Sequence, residues 1–147
     1  MTGLRILQPE DILAIKNDVI EDRPMWKSIT LEMINTLLGT TGYSFTYINK
    51  DKVVACCGAI KKTDSWELWA IYSNRFSEFV RVRAAILFCK KLRHLSMNEE
   101  AGSTAYFSIP SDLKNGDKYA KFLGGKFLRT EDSLLFKNIT NNIYEVA

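Results

Sequence analysis

Apolar positions along this chain recur with two different periods, and each change of period marks a new element. The run "LRIL" (Leu4–Leu7) reads as a short first strand. "QPEDILAIKNDVI" then places Ile12, Ile15 and Val19 at helical spacing, with Pro9 suited to a first turn and Glu10 and Asp11 favourable at the positive end of a helix dipole. Pro24 interrupts this pattern. "SITLEMINTLLG" predicts a second helix, capped by Ser28 or Thr30, striped by Leu31, Ile34 and Leu38, and ended by Gly39.

From Tyr43 the period shortens. "YSFTYIN" and "KVVACCGAIKK" are β-rich runs joined by "NKDK", the pattern of a hairpin, and "SWELWAIYS", bounded by Thr63 and Asp64, extends them into an antiparallel meander. A helix follows from Ser77 to Leu95, with Ala84, Phe88, Leu92 and Leu95 on one face and Arg83, Lys90, Arg93 and His94 on another. "MNEEAGS" reads as a loop, "TAYFSIP" as a strand ended by Pro110, "DLKNGDKYAKFLGG" as a short helix, and "KFLRTEDSLLFKNI" as a closing hairpin. The order β-α-α-β-β-β-α-β-α-β-β predicts an α/β (α+β) domain over residues 1–147, a mixed and mostly antiparallel sheet flanked by helices.

Composition narrows the class further. The chain has 147 residues, 46% hydrophobic and 25% charged, which suits one folded domain and argues against disorder. No apolar run approaches the ~20 residues of a membrane span. The N-terminus lacks a basic-then-apolar leader, so a cytoplasmic location is expected. Cys56 and Cys57 are neighbours on a strand and point to opposite faces. With Cys89 and the single His94 they give no metal-ligand spacing, and they read as reduced, partly buried thiols. Net charge is only +3, but it is uneven: six Arg and Lys fall between Arg75 and His94 against one Glu. A solvated helix face accounts for that run, and nucleic acid is not an expected partner.

The junction between "WELWAIY" and the basic helix is a place where chains bind anions, because the first turn of a helix offers backbone N–H groups. Its turn reads Ser73, Asn74, Arg75, Phe76, Ser77, Glu78, with no glycine to let a phosphate approach the backbone. Arg75 and Arg81 can meet phosphates through side chains instead. Ser77 is the default N-cap.

The order of elements resembles the GCN5-related N-acetyltransferase (GNAT) fold over nearly the whole chain. That resemblance implies acetyl-CoA as acyl donor and a small-molecule or protein amine as acceptor. It places the donor's pyrophosphate at the turn formed by Tyr72, Ser73, Asn74, Arg75, Phe76 and Ser77, with Arg81 beyond. The family's Gly-x-Gly is missing there, which weakens or removes cofactor binding. "KFLGG" resembles the family segment that follows a catalytic tyrosine. Ala120 holds the usual tyrosine position, and Tyr119 lies one residue away, about 100° around a helix. More narrowly, the "LW" strand, the Arg/Lys-rich helix and the "FLGG" segment resemble small GNAT-like proteins of short-tailed phages, an internal virion protein among them.

Glu67 is the candidate general base, a carboxylate on the central strand able to take the amine's proton. Tyr119, with Tyr106 as an alternative, is the candidate acid toward the departing thiolate. Trp66, Trp69 and Phe76 read first as core and second as a groove lining. Two functions stand. One is an acetyl-CoA-dependent N-acyltransferase. The other is a catalytically silent phage protein with virion or host proteins as partners, in the virion or the host cytoplasm.

Overall fold

The computed structural model describes residues 1–19, 24–62, 65–97, 104–112, 115–133 and 137–146. The boundary expected at Thr63 and Asp64 and the loop expected after Met97 lie outside the described residues. Seven strands form one sheet: β1 (Gly3–Ile6), β2 (Thr41–Asn49), β3 (Lys52–Lys61), β4 (Ser65–Tyr72), β5 (Thr104–Pro110), β6 (Gly125–Asp132) and β7 (Thr140–Val146). Their spatial order is β1-β2-β3-β4-β5-β7-β6, so β4 is central. Every neighbouring pair is antiparallel except β4 and β5. The helices are α1 (Pro9–Ile15), α2 (Pro24–Lys27), α3 (Leu31–Thr40), α4 (Glu78–Met97) and α5 (Gly116–Phe122). This is the expected order with one addition, the four-residue α2 beginning at the proline that interrupts the first helical pattern.

Local chemistry explains most boundaries. Lys50 and Asp51 both take left-handed backbone angles (φ 50° and 66°), the turn whose twist matches a two-residue hairpin. Thr30 caps α3, its Oγ1 accepting the Met33 N–H at 3.2 Å. The buried stripe of α3 is Ile34 and Leu37, while Leu31 is exposed. Gly39 does not end the helix. The chain continues to Thr40 and turns directly into β2 through the extended backbone of Thr41. Ser77 caps α4, accepting the Val80 N–H at 3.4 Å.

Two apolar layers sandwich the sheet. On one face α4 and α5 bury Ala84, Phe88, Leu92 and Ala120 against Val54, Cys57, Leu68 and Phe107. On the other, α1 and α3 bury Ile12, Ile15 and Ile34 against Cys56 and Ile71. The adjacent cysteines thus serve opposite layers, as strand alternation requires. Burial pushes the Cys56 thiol up to about 12 and the Cys57 and Cys89 thiols upward as well, so none is a thiolate nucleophile near neutral pH. Trp66 is core, tilted against Tyr43 at 5.3 Å.

A polar network ties α1 to the sheet. The buried Asp11 carboxylate accepts both terminal nitrogens of Arg5 (2.7 and 2.6 Å), the Gln8 N–H (2.8 Å) and the Thr46 hydroxyl (2.8 Å). Burial pushes its pKa up, but Arg5, Gln8 and Thr46 together outweigh that and hold it below the usual carboxylate range.

The closing hairpin differs from expectation in its second strand. It falls on "TNNIYEV", beyond the run "KFLRTEDSLLFKNI" expected to hold the whole hairpin, of which positions 134–136 lie outside the described residues. Two asparagines disguise a strand that inserts between β5 and β6, where Ile143 and Tyr144 are buried on opposite faces.

Candidate active site

The one parallel pair is also the one that parts. Ser65–Leu68 pairs with Thr104–Phe107, and there the β4–β5 ladder stops. Beyond it, Trp69–Tyr72 stays with β3 and Ser108–Pro110 stays with β7. The backbone groups on the facing edges of these strand ends are not paired with each other, so they are available to an extended ligand. A cleft of about 910 Å³ runs through this gap, reaching both faces of the sheet.

Glu67 stands on the α1/α3 side of the gap. Its Oε1 accepts the Ser108 hydroxyl from across the parting strands, and Lys62 Nζ lies 3.3 Å from Oε2. Its side chain is 19% exposed, enough to meet a ligand while held by two partners.

Tyr72 and Tyr119 stand on the α4/α5 side. Tyr72 is the last residue of β4, and Tyr119 Oη donates to Tyr72 Oη at 2.7 Å, with the rings edge to face. Burial raises both phenols above the ordinary tyrosine range. The facing Tyr119 adds to the rise at Tyr72, while the bond to Tyr72 only partly offsets the rise at Tyr119. Two features place Tyr119. Gly124 takes φ 84° to close α5. At Gly125 a side chain would strike Phe107 at 2.5 Å and the Ala120 carbonyl at 2.9 Å, so the double glycine lets α5 sit down on β5. Tyr144 helps, stacking on Phe107 at 5.5 Å while its hydroxyl donates to Asp117 at the start of α5.

The turn into α4 is built differently from a phosphate cradle. Ser73 is buried, bridges to Val19, and accepts the Arg75 N–H at 3.2 Å. The Asn74 N–H donates to the Asp18 carbonyl. Arg75 Nε pairs with Asp18 Oδ2 at 2.9 Å, Phe76 packs against the core, and Arg81 Nη1 returns to the Phe76 carbonyl. From this stretch the cleft wall includes Tyr72, Glu78 and Arg81. Asp18 is neutralised by Arg75, and Glu78 stands with Arg81 in the first turn of α4, so this end of the cleft carries both signs of charge and lacks the glycine backbone cradle that a diphosphate uses.

Of the residues singled out from the sequence, Glu67, Tyr72, Tyr119 and Arg81 line one cleft, with Trp69 in its wall. Tyr106 lies outside the tyrosine pair, beneath Arg129 at 6.0 Å. Sequence reasoning missed Ser108, Lys62 and Asp18. Ser108 had a readable signal only in its alternation with Phe107 and Ile109. Its meeting with Glu67 depends on parallel pairing, and Asp18 carried no signal at all.

No protein-family model and no curated protein matches the sequence. Solved structures do match in fold. An N-acetyltransferase from Staphylococcus aureus Mu50 superposes with a TM-score of 0.72 at 15% identity, covering 99% of this chain and 98% of that one. The ribosomal-protein-S18-alanine N-acetyltransferase from Escherichia coli gives 0.69 at 12% identity, covering 99% and 93%. The aminoglycoside 6'-N-acetyltransferase from Enterococcus faecium gives 0.67 at 11%, covering 97% and 94%. The fold is that of the GNAT acetyltransferases. Among the described residues no helix is long and apolar enough to cross a membrane.

Proposed function

We propose that the chain is an N-acyltransferase, moving an acyl group such as acetyl from a pantetheine thioester to a primary amine. The observation that carries this reading is the parting of β4 and β5, with a held carboxylate on one side and a protonated tyrosine pair on the other. A thioester lying in the gap supplies the acyl carbon and departs as a thiol. Glu67 takes the proton the ammonium must lose, and Ser108 and Lys62 fix its carboxylate toward the gap. The tyrosine pair uses one hydroxyl proton between its two oxygens and keeps the other for the cleft, where a leaving sulfur needs it. Trp69 and Ile71 give the cleft an apolar wall beside Glu67. Acetyl-CoA is the donor the resemblance implies. At that end Arg81, in the first turn of α4, is the cleft-lining cation that would meet a phosphate, while the Tyr72–Ser77 turn, tied to Val19 and Asp18, supplies no backbone cradle.

The test is release of free thiol from acetyl-CoA and from acetyl-pantetheine, assayed against a polyamine, a peptide N-terminus and an aminoglycoside. Amide product with at least one amine is expected. No turnover, and no calorimetric binding of either donor, overturns the reading. A second reading rests on the turn itself. The Asp18–Arg75 pair, Glu78 and the half-buried Phe76, where the family has glycines, favour a GNAT-fold protein without catalysis, of the kind found in phage virions. Copurification with assembled particles tests it.

A further inference from the structure

Among the described residues two lysines line the cleft, Lys62 just beyond β3 and Lys118 on α5, and Lys62 is the one that stands at the candidate base. Its Nζ lies 3.3 Å from Glu67 Oε2, where an acceptor ammonium must stand to hand its proton to that carboxylate. The Lys62 backbone N–H donates to the Ser65 carbonyl at 2.8 Å, which pins the chain at the head of β4. The side chain beyond it is a flexible four-carbon stem, half exposed, with room to swing along the cleft. Lys61 is one residue away and points elsewhere. Its Nζ lies over the Trp66 ring at 5.7 Å, on the α4 side of the sheet and outside the cleft wall. Lys118 belongs to the tyrosine side, across the gap from Glu67. The chain thus holds a primary amine of its own in the acceptor position, with a second surface lysine beside it as an internal comparison.

Resting on the acyltransferase reading, we propose that Lys62 is a self-modification site: the chain moves the acyl group from the thioester in the gap to its own Lys62 Nζ. The Lys62 ammonium gives one proton to Glu67, and the freed lone pair bonds to the acyl carbon as the carbon–sulfur bond breaks. The nitrogen's second proton balances the one the sulfur takes from the tyrosine pair, so an amide and a thiol form and one proton is released to water. Ser108 holds the Glu67 carboxylate from the neighbouring strand, so the base keeps its place when Lys62 leaves it for the thioester. The product amide carries no charge and cannot react again, which limits the modification to one acyl group per chain. It also dissolves the Lys62–Glu67 ion pair and leaves the carboxylate to Ser108 and to an amine arriving from solution.

The experiment incubates the full chain with acetyl-CoA, and separately with acetyl-pantetheine, without added amine, and follows each lysine by peptide mass spectrometry. Lys62 is expected to be acetylated at least about tenfold faster than Lys61 or Lys118, because those two react only by uncatalysed chemistry. The rate per chain should not change with protein concentration, since donor site and acceptor belong to one molecule. Glu67→Gln should slow Lys62 by about 10²-fold or more, toward the Lys61 rate, and leave Lys61 itself unchanged. Lys62→Arg keeps a cation beside Glu67 and should abolish the fast modification. Lys62 reacting no faster than Lys61, a Lys62 rate indifferent to Glu67→Gln, or a rate that rises with protein concentration overturns the proposal. Where an added amine is still acylated in that case, the acyltransferase reading stands and the self-modification alone falls. No acetylation of Lys62, no amide from any added amine and no calorimetric binding of either donor overturn both.

Discussion

Replacing Glu67 with glutamine isolates basicity from shape. The amide oxygen still accepts the Ser108 hydroxyl, so the link across the parting strands survives. Lys62 loses an ion partner, but its side chain is 53% exposed, and such a pair contributes at most about 1 kcal/mol. The melting temperature should therefore fall by no more than about 4 °C. Catalysis should respond far more. An alkylammonium with a pKa near 10.4 is neutral in only about one part in a thousand at pH 7.4. A base positioned to remove its proton typically contributes about 10²–10⁴ in rate, or about 2.7–5.5 kcal/mol of barrier. The assay is kcat/KM for amine acylation by thiol release, run beside a thermal melt. In the variant, neutral amine must come from solution, so its rate should climb about tenfold per pH unit toward the amine's own pKa. A variant as active as the parent, or one that ignores pH, would show that the base is elsewhere.

Three further outcomes follow from the same geometry. Tyr72→Phe and Tyr119→Phe should each lower kcat/KM about tenfold, and the double variant should lose little more than the worse single, because the pair acts as one acid; additive losses would separate the two hydroxyls. Asp11→Ala removes the acceptor for Arg5, Gln8 and Thr46 and should cost about 2–4 kcal/mol, read as a drop of roughly 5–15 °C in Tm. Because the folded Asp11 pKa is depressed, its contribution is complete above the unfolded value near 4 and is lost as pH falls through the lower folded value, so the gap between parent and variant should close only below about pH 4; a gap that closes near neutrality refutes the assignment. Gly58→Ala would set a Cβ 2.6 Å from Trp69 Nε1, forcing the indole off its Thr41 partner, and should cost about 1–3 kcal/mol; an unchanged melt would mean the ring relaxes freely.

How much of this was legible in the sequence depends on how local each cause is. The β2–β3 hairpin, the Thr30 and Ser77 caps and the buried face of α4 depend on neighbours within a turn or two, and all were readable. The end of α3 was misread because glycine near a helix terminus usually marks the left-handed cap. Here Thr41 enters the sheet directly, and sheet pairing overrides the local signal. The last strand was misplaced for a related reason. Asn141 and Asn142 have poor β propensity, and only insertion between β5 and β6 makes their segment a strand. The site divides along the same line. Glu67 and Tyr119 could be named from residue type and position, because their own elements orient them. Ser108 and Asp18 reach the site across parallel pairing and a loop return, 41 residues from Glu67 in one case, and no periodicity encodes such a meeting. Missing glycines at the α4 turn were visible from the start, yet their meaning was not. The structure supplies the reason they can be missing: the Asn74 N–H donates to the Asp18 carbonyl, Arg75 pairs with the Asp18 carboxylate and Ser73 bridges to Val19, so the chain after α1 already occupies the backbone positions that a glycine turn would leave open. Absence of a motif says what a turn does not hold; the neighbours say what fills the space instead.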